Sequence, residues 1–125
     1  MTATELLAKA QVFEESARIG GEVARERLRQ FERFGEQNHP DGTGGDDAEF
    51  LAYCAREAYE NHRQAGSLTW LDVLREETEE VAAATDEAEL RAELVQVAAV
   101  AVAWVEAIDR RRRQHPPVSA TRSDA

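Results

Sequence analysis

Four carboxylates fall within five residues in the stretch Glu76-Glu77-Thr78-Glu79-Glu80. A fifth, Glu93, stands just ahead of the run from Leu94 to Ile108, in which Gln96 and Glu106 are the polar members. Carboxylates set among apolar positions repel one another, and they are costly to bury unless a proton, a partner or a cation accompanies them. An all-oxygen donor set of that charge suits Mg²⁺, which keeps several waters and takes the rest of its shell from phosphate. The competing reading is a solvated acidic helix face. The choice between them depends on the elements that position these residues.

Thr69 and Asp72 form the capping-box pair that opens a helix. At 100° per residue, Trp70, Val73, Leu74, Val81 and Ala84 share one face of it. Glu77 lies within that face and Glu80 at its edge beside Glu76, while Arg75 and Glu79 point away. Asp86 and Glu89 repeat the capping pattern ahead of the next helix. Its main stripe is Leu90, Leu94, Val97, Ala101, Trp104 and Ile108, and Glu93 is set against Val97, Val100 and Trp104. So short a connection makes the two helices an antiparallel pair. Counted from a turn near Thr85, Glu77 and Glu93 are both about 12 Å away at 1.5 Å per residue, one on each helix. The two should therefore face each other, flanked by Glu76 and Glu80, as a Mg²⁺ centre. Glu106 and Asp109 make a rival acidic pair, but lie roughly 31 Å from the turn and point away from the face of Glu93.

The rest of the chain reads as helical too. From Thr4, a fair N-cap, to Phe34, apolar residues recur at spacings of three and four: Leu6, Leu7, Ala10, Phe13, Ala17, Val23, Ala24, Leu28, Phe31 and Phe34. Gly20-Gly21 predicts a kink or a close backbone approach. Gly35–Gly45 is a loop rich in Gly and Pro, with a tight turn expected at Asp41-Gly42. Its Gln37, Asn38, His39 and Thr43 suit either an ordinary polar loop or a substrate contact. Asp46 caps a helix through Ala65 with Leu51, Cys54, Ala55, Ala58 and His62 along its stripe, and Gly66 is placed to end it in a left-handed conformation. Cys54 and His62 read as packing residues, since no C-x-x-C or H-x-x-x-H pattern supports zinc. Arg110 to Arg113 close the last helix, where cations complement its dipole.

The expectation is an all-α domain over residues 1–113, a four- to five-helix bundle with a disordered tail at 114–125. The last long helix is apolar nearly all round, which predicts a second subunit against it and hence a homodimer or higher oligomer. With 25 acidic against 15 basic residues the net charge is −10. That field disfavours nucleic acid and anionic membrane as partners and favours divalent cations. The apolar run falls short of the roughly 20 residues a bilayer span needs. A single cysteine, and an N-terminus without the basic and apolar parts of a secretory signal, point to the cytoplasm.

Glu76-Glu77-Thr78-Glu79-Glu80, then Glu93-Leu94, resembles the E-E-x-x-E … E-x-x-D pattern of the MazG-like all-α nucleoside triphosphate pyrophosphohydrolases. Phe34-Gly35-Glu36-Gln37-Asn38-His39-Pro40 and Thr69-Trp70-Leu71-Asp72-Val73-Leu74 extend the likeness, which covers about Arg27 to Arg113. It implies Mg²⁺-dependent hydrolysis of a nucleoside triphosphate to monophosphate and pyrophosphate. Glu76, Glu77, Glu80 and Glu93 would be the metal ligands, and Glu76 and Glu77 the catalytic carboxylates, with Glu76 activating water. Gln37, Asn38 and His39 would read the base or sugar. The chain departs from the pattern at Gln96, where the family has aspartate; a neutral carbonyl oxygen is left there to serve the metal or its water. That departure also leaves room for a non-catalytic nucleotide-binding or helical interaction module.

Overall fold

A computed structural model of the chain describes residues 1–118. Among these residues there are four α-helices and no strand: α1 Ala3–Phe34, α2 Ala48–Gln64, α3 Trp70–Ala83 and α4 Glu87–Gln114. The all-α expectation holds, with four helices. Contacts divide the chain into two compact units. One is Glu36–Ala101; the other is Met1–Gly35 with the chain from Val102 onward, so α4 contributes to both.

In the unit Glu36–Ala101, α2 packs on α3. The inward line of α2 is Ala48 and Ala52, both buried, then Ala55 and Tyr59, half-buried. The sequence-based stripe is rotated from this by about one residue: Leu51, Cys54 and His62 are exposed. Small side chains on the inward line let the α2 backbone come close to its neighbour, a geometric gain that ranking by hydrophobicity does not register. Cys54 and His62 are therefore surface residues and not packing residues. His62 Nδ1 instead lies 2.9 Å from Asp72 Oδ2.

The cap residues explain where these helices start and stop. Asp47, not Asp46, precedes α2, and its side chain makes no capping bond. Gly66 has φ 73°, the left-handed conformation that glycine adopts without strain, and the Ser67 amide donates to the His62 carbonyl at 2.8 Å. At α3 the capping box is complete: the Asp72 amide donates to Thr69 Oγ1 (3.1 Å) and the Thr69 amide to Asp72 Oδ2 (3.0 Å). The Thr69 amide, more than His62, holds the Asp72 carboxyl below its usual pKa against the opposing effect of burial. Asp86 Oδ1 accepts from the Glu89 amide at 2.8 Å, as expected for the start of α4.

In the other unit the cap of α1 is Thr2, two residues ahead of the expected Thr4, with Glu5 completing a capping box. Glu5 carries the reciprocal bond there, which decides between the two threonines. The helix runs unbroken through Gly20-Gly21, and a Cβ on Gly20 would meet nothing within 4 Å. The reading of one long helix holds, and no other backbone approaches the glycine pair: a Cβ on Gly21 would meet only the Arg25 side chain, at 3.6 Å. Ile19 is the buried residue of α1. The expected apolar stripe is turned outward: Phe13 is 78% exposed, and Leu6, Leu28, Phe31 and Phe34 are each more than half exposed. Two ion pairs join α1 to the end of α4, Arg18 to Asp109 (2.8 Å) and Arg113 to Glu15 (3.7 Å), while Arg18 also pairs within α1 with Glu15 (3.2 Å) and Glu22 (3.5 Å). Asp109 first, then Glu15, raises the pKa of Arg18 above its ordinary value. Arg111, Arg112 and Arg113 occupy the last turn of α4, complementing its dipole. Of the expected tail, Gln114 is helical, His115–Val118 are irregular, and 119–125 lie outside the described residues. No helix among the described residues is long and apolar enough to cross a membrane.

Candidate metal centre

The exposed edge of α3 is narrow, a line of Leu71, Arg75 and Thr78. The remaining residues of the glutamate stretch are half-buried, which puts Glu76, Glu77 and Glu80 where the sequence places them. Glu79 is half-buried as well, contrary to its expected outward position. The exposed strip of α3 is thin, and Glu79 falls just outside it.

On α4 the inward line in this unit is Leu90, Glu93, Val97 and Val100, all half-buried, while Leu94, Val95, Gln96 and Ala101 are exposed. The stripe read from sequence took Leu94 and Ala101 in place of Glu93 and Val100, so it too is off by one residue. Glu93 is thus a member of the inward line and not its flank. Gln96, offered as a fifth ligand, lies on the exposed side, one turn after Glu93.

Glu77 and Glu93, on different helices, are close enough for the charge of one to bear on the other. Burial first, then the charges of Glu93 and Glu76, push the Glu77 pKa up. Glu76 is raised as well, by burial and then by Glu80, with the Arg56 guanidinium opposing. Glu80 is held otherwise: its Oε1 accepts from Arg56 Nη1 at 2.6 Å. The four glutamates form one electrostatic cluster, but among the described residues no group of three or more His, Cys, Asp or Glu side chains stands ready to hold a metal ion. Glu80 is turned to Arg56. In donor chemistry four carboxylates suit a hard, oxygen-seeking cation, but as they are placed they do not converge on one.

The loop residues Gln37, Asn38 and His39 are exposed and bonded locally: His39 Nε2 lies 3.1 Å from Gln37 Oε1, and Asn38 Nδ2 donates to Glu36 Oε2 at 3.0 Å. These bonds do not bring them to the glutamates. Gly42 has φ 74°, but the hydrogen-bonded turn comes later, at Asp46-Asp47, where the Ala48 amide donates to Gly45 O (3.1 Å). The Gly44 amide donates to the Ala82 carbonyl at 2.8 Å, tying the end of the loop to the last turn of α3. Asp109, set aside above as a ligand, is paired with Arg18.

Sequence reasoning missed Arg56. It sits on α2 beside a cavity of about 280 Å³ that Glu49, Glu80, Thr85 and Glu89 also line. Its signal was available only through the correct inward line of α2: once Ala52, Ala55 and Tyr59 face α3, Arg56 is the cation on the flank of that line. Compared with protein-family models, with curated proteins and with solved structures, the chain has no significant match in any of the three.

Proposed function

We propose that this chain is a Mg²⁺-dependent nucleoside triphosphate pyrophosphohydrolase of MazG-like type. The observation that carries the reading is the crowding of Glu76, Glu77 and Glu93 from two different helices, where burial first and then the charges of Glu93 and Glu76 push the Glu77 pKa up. The likeness of the glutamate pattern to that family supplies the reaction class. Glu76, Glu77, Glu80 and Glu93 would hold Mg²⁺, with Gln96 near enough in sequence to serve a bound water. The cation would supply charge neutralisation of the triphosphate and polarisation of the α-phosphorus. Glu76, as the glutamate not fully committed to the metal, would take a proton from the attacking water. The water oxygen bonds to the α-phosphorus, the bond from that phosphorus to the bridging oxygen breaks, and pyrophosphate leaves. Gln37, Asn38 and His39 contact base or sugar once their local bonds open.

Pyrophosphate release from a panel of ribo- and deoxyribonucleoside triphosphates with Mg²⁺ tests the reaction. Glu77→Gln and Glu93→Gln should each lose about 100-fold or more in rate while keeping the far-ultraviolet circular dichroism of the parent. Full activity in both variants would sink the assignment. A second reading, nucleotide binding without turnover, is favoured by Gln96, neutral and exposed where the family has aspartate. Calorimetric binding of a nucleotide with Mg²⁺, in the absence of pyrophosphate release, would select it.

The working form is a homodimer or higher oligomer, supported by the outward apolar faces of α1 and by Leu94 and Val95, which are about half exposed on α4. The cytoplasm, where Mg²⁺ and nucleotides abound, is the matching location.

A further inference from the structure

The two compact units of the chain carry opposite charge. Residues 36–101 hold sixteen acidic and four basic side chains, a net of −12. Residues 1–35 with 102–118 hold eight acidic and ten basic, a net of +2. On α1 the basic residues stand beside apolar surface. Leu28, Phe31 and Phe34 are each more than half exposed. At 100° per residue Arg27 falls between Phe31 and Phe34 on that face, and Arg25 borders Leu28. Neither arginine has an ion pair among the described residues, and Arg27 bonds to Gln30 at 2.7 Å. A complementary surface lies on α2, whose outward line is Phe50, Tyr53, Cys54 and Glu57, all exposed. Asp46, Asp47 and Glu49 stand at its start, and these three carboxylates and Glu57 are likewise without an ion pair among the described residues. The interior does not compensate for so much outward apolar surface: the buried residues among those described are Ile19 and four alanines.

We propose that the C-terminal half of α1 lies against the outward line of α2 in a second copy of the chain, a contact made twice about a two-fold axis. The stretch Val23–Phe34 spans about 18 Å and fits on the 17 residues of α2, about 25 Å long. Phe31, Phe34, Phe50 and Tyr53 are each more than half exposed. Counted twice in the pair, their outward parts amount to on the order of 900 Å², the apolar share of a standard interface of about 1,600 Å². Arg25 and Arg27 then meet the carboxylates around Phe50 and Tyr53. Pairing α1 with α1 would instead set the same arginines against each other. A reciprocal contact satisfies both copies and closes the assembly. This rests on the self-association proposed above and adds its two surfaces; it requires neither metal nor substrate.

Cys54, the one cysteine of the chain, lies on the α2 line and serves as a probe. Parent protein is incubated with an Ala24→Cys, Cys54→Ser variant, whose one thiol is on α1, until subunits exchange, and is then treated with a short bismaleimide. The expected main product is a dimer with one copy of each chain, joined between position 24 and Cys54. A main product linking two variant chains would place α1 on α1, and one linking two parent chains would place α2 on α2; either overturns the inference. Sedimentation equilibrium supplies a second arm. Arg25→Glu with Arg27→Glu should raise the dissociation constant about tenfold or more, and that of the parent should rise with added NaCl. Circular dichroism checks that each variant is folded. A constant indifferent to both changes overturns the pairing of these surfaces and leaves self-association standing. A monomeric parent overturns both, and if it floats with phosphatidylserine vesicles the face of α1 belongs to an anionic membrane.

Discussion

α1 and the α3–α4 glutamates are opposites in how they use a helix face. On α1, Phe13, Phe31 and Phe34 point outward and the buried position is Ile19. On α3 and α4, Glu76, Glu77, Glu80 and Glu93 take half-buried positions while Leu94 and Val95 are exposed. Each arrangement is unfavourable for an isolated chain, since apolar surface meets water in one region and like charges are crowded in the other. Under the function proposed above, each would be relieved by something from outside: a second copy of the chain for α1, a cation for the glutamates. Placement that opposes the solvent preference of a side chain points to what the chain binds more directly than placement that follows it.

The comparison breaks most visibly if the outward face of α1 is made polar. Phe13→Glu with Phe31→Glu should remove several kcal/mol of association, at about 1.5–3 kcal/mol per large apolar side chain withdrawn from burial. Analytical ultracentrifugation should then show the variant as monomer at concentrations where the parent is oligomeric. A parent that is itself monomeric would leave the outward stripe of α1 without the role assigned to it.

The glutamates respond to pH in a direction that can be worked out. Glu76 and Glu77 have folded-state pKa values raised above the ordinary 4.5. What they contribute to stability is full below that pH and lost as pH rises through the raised values. Asp72 has the opposite sign: lowered from 3.8, its contribution is present above that value and lost as pH falls through the folded pKa. Thermal melts of metal-free protein should show stability from the glutamates falling as pH climbs above about 4.5, with Mg²⁺ restoring it at neutral pH. In Glu77→Gln that fall should shrink. A melt profile identical in parent and variant would dissociate Glu77 from the crowding.

Smaller effects sharpen the local picture. Thr69→Ala removes the cap of α3 and should cost about 1 kcal/mol in chemical denaturation. Gly20→Ala adds a methyl group in open space within a helix, and should stabilise by roughly 0.5–1 kcal/mol. A loss instead would mean that a second copy approaches α1 at that point in solution.

Much of this was legible in the sequence. The cap signals Thr69-Asp72 and Asp86-Glu89 located the starts of α3 and α4, and counting from the turn brought Glu77 and Glu93 to one level. Errors arose where hydrophobicity stood in for geometry. Leu51 was chosen over Ala52 on α2 and Leu94 over Glu93 on α4, a shift of about one residue each time, because a small or charged residue on an inward line leaves no hydrophobic signal. Arg56 was lost through the first of these shifts. For α1 the spacing identified an apolar face without saying what covers it, and that face is largely exposed.

The Gly44 amide, bonded to the Ala82 carbonyl at 2.8 Å, moors the loop of Gln37, Asn38 and His39 to the end of the glutamate helix. Gly44 sits at φ 76°, where a side chain would strain the backbone. Loop and helix therefore keep a common register: unwinding the last turn of α3 slackens the loop, and tightening that turn draws it in. One backbone proton records the state of this mooring. Its rate of exchange with deuterium serves as a gauge of the last turn of α3, free of any substitution among the carboxylates themselves.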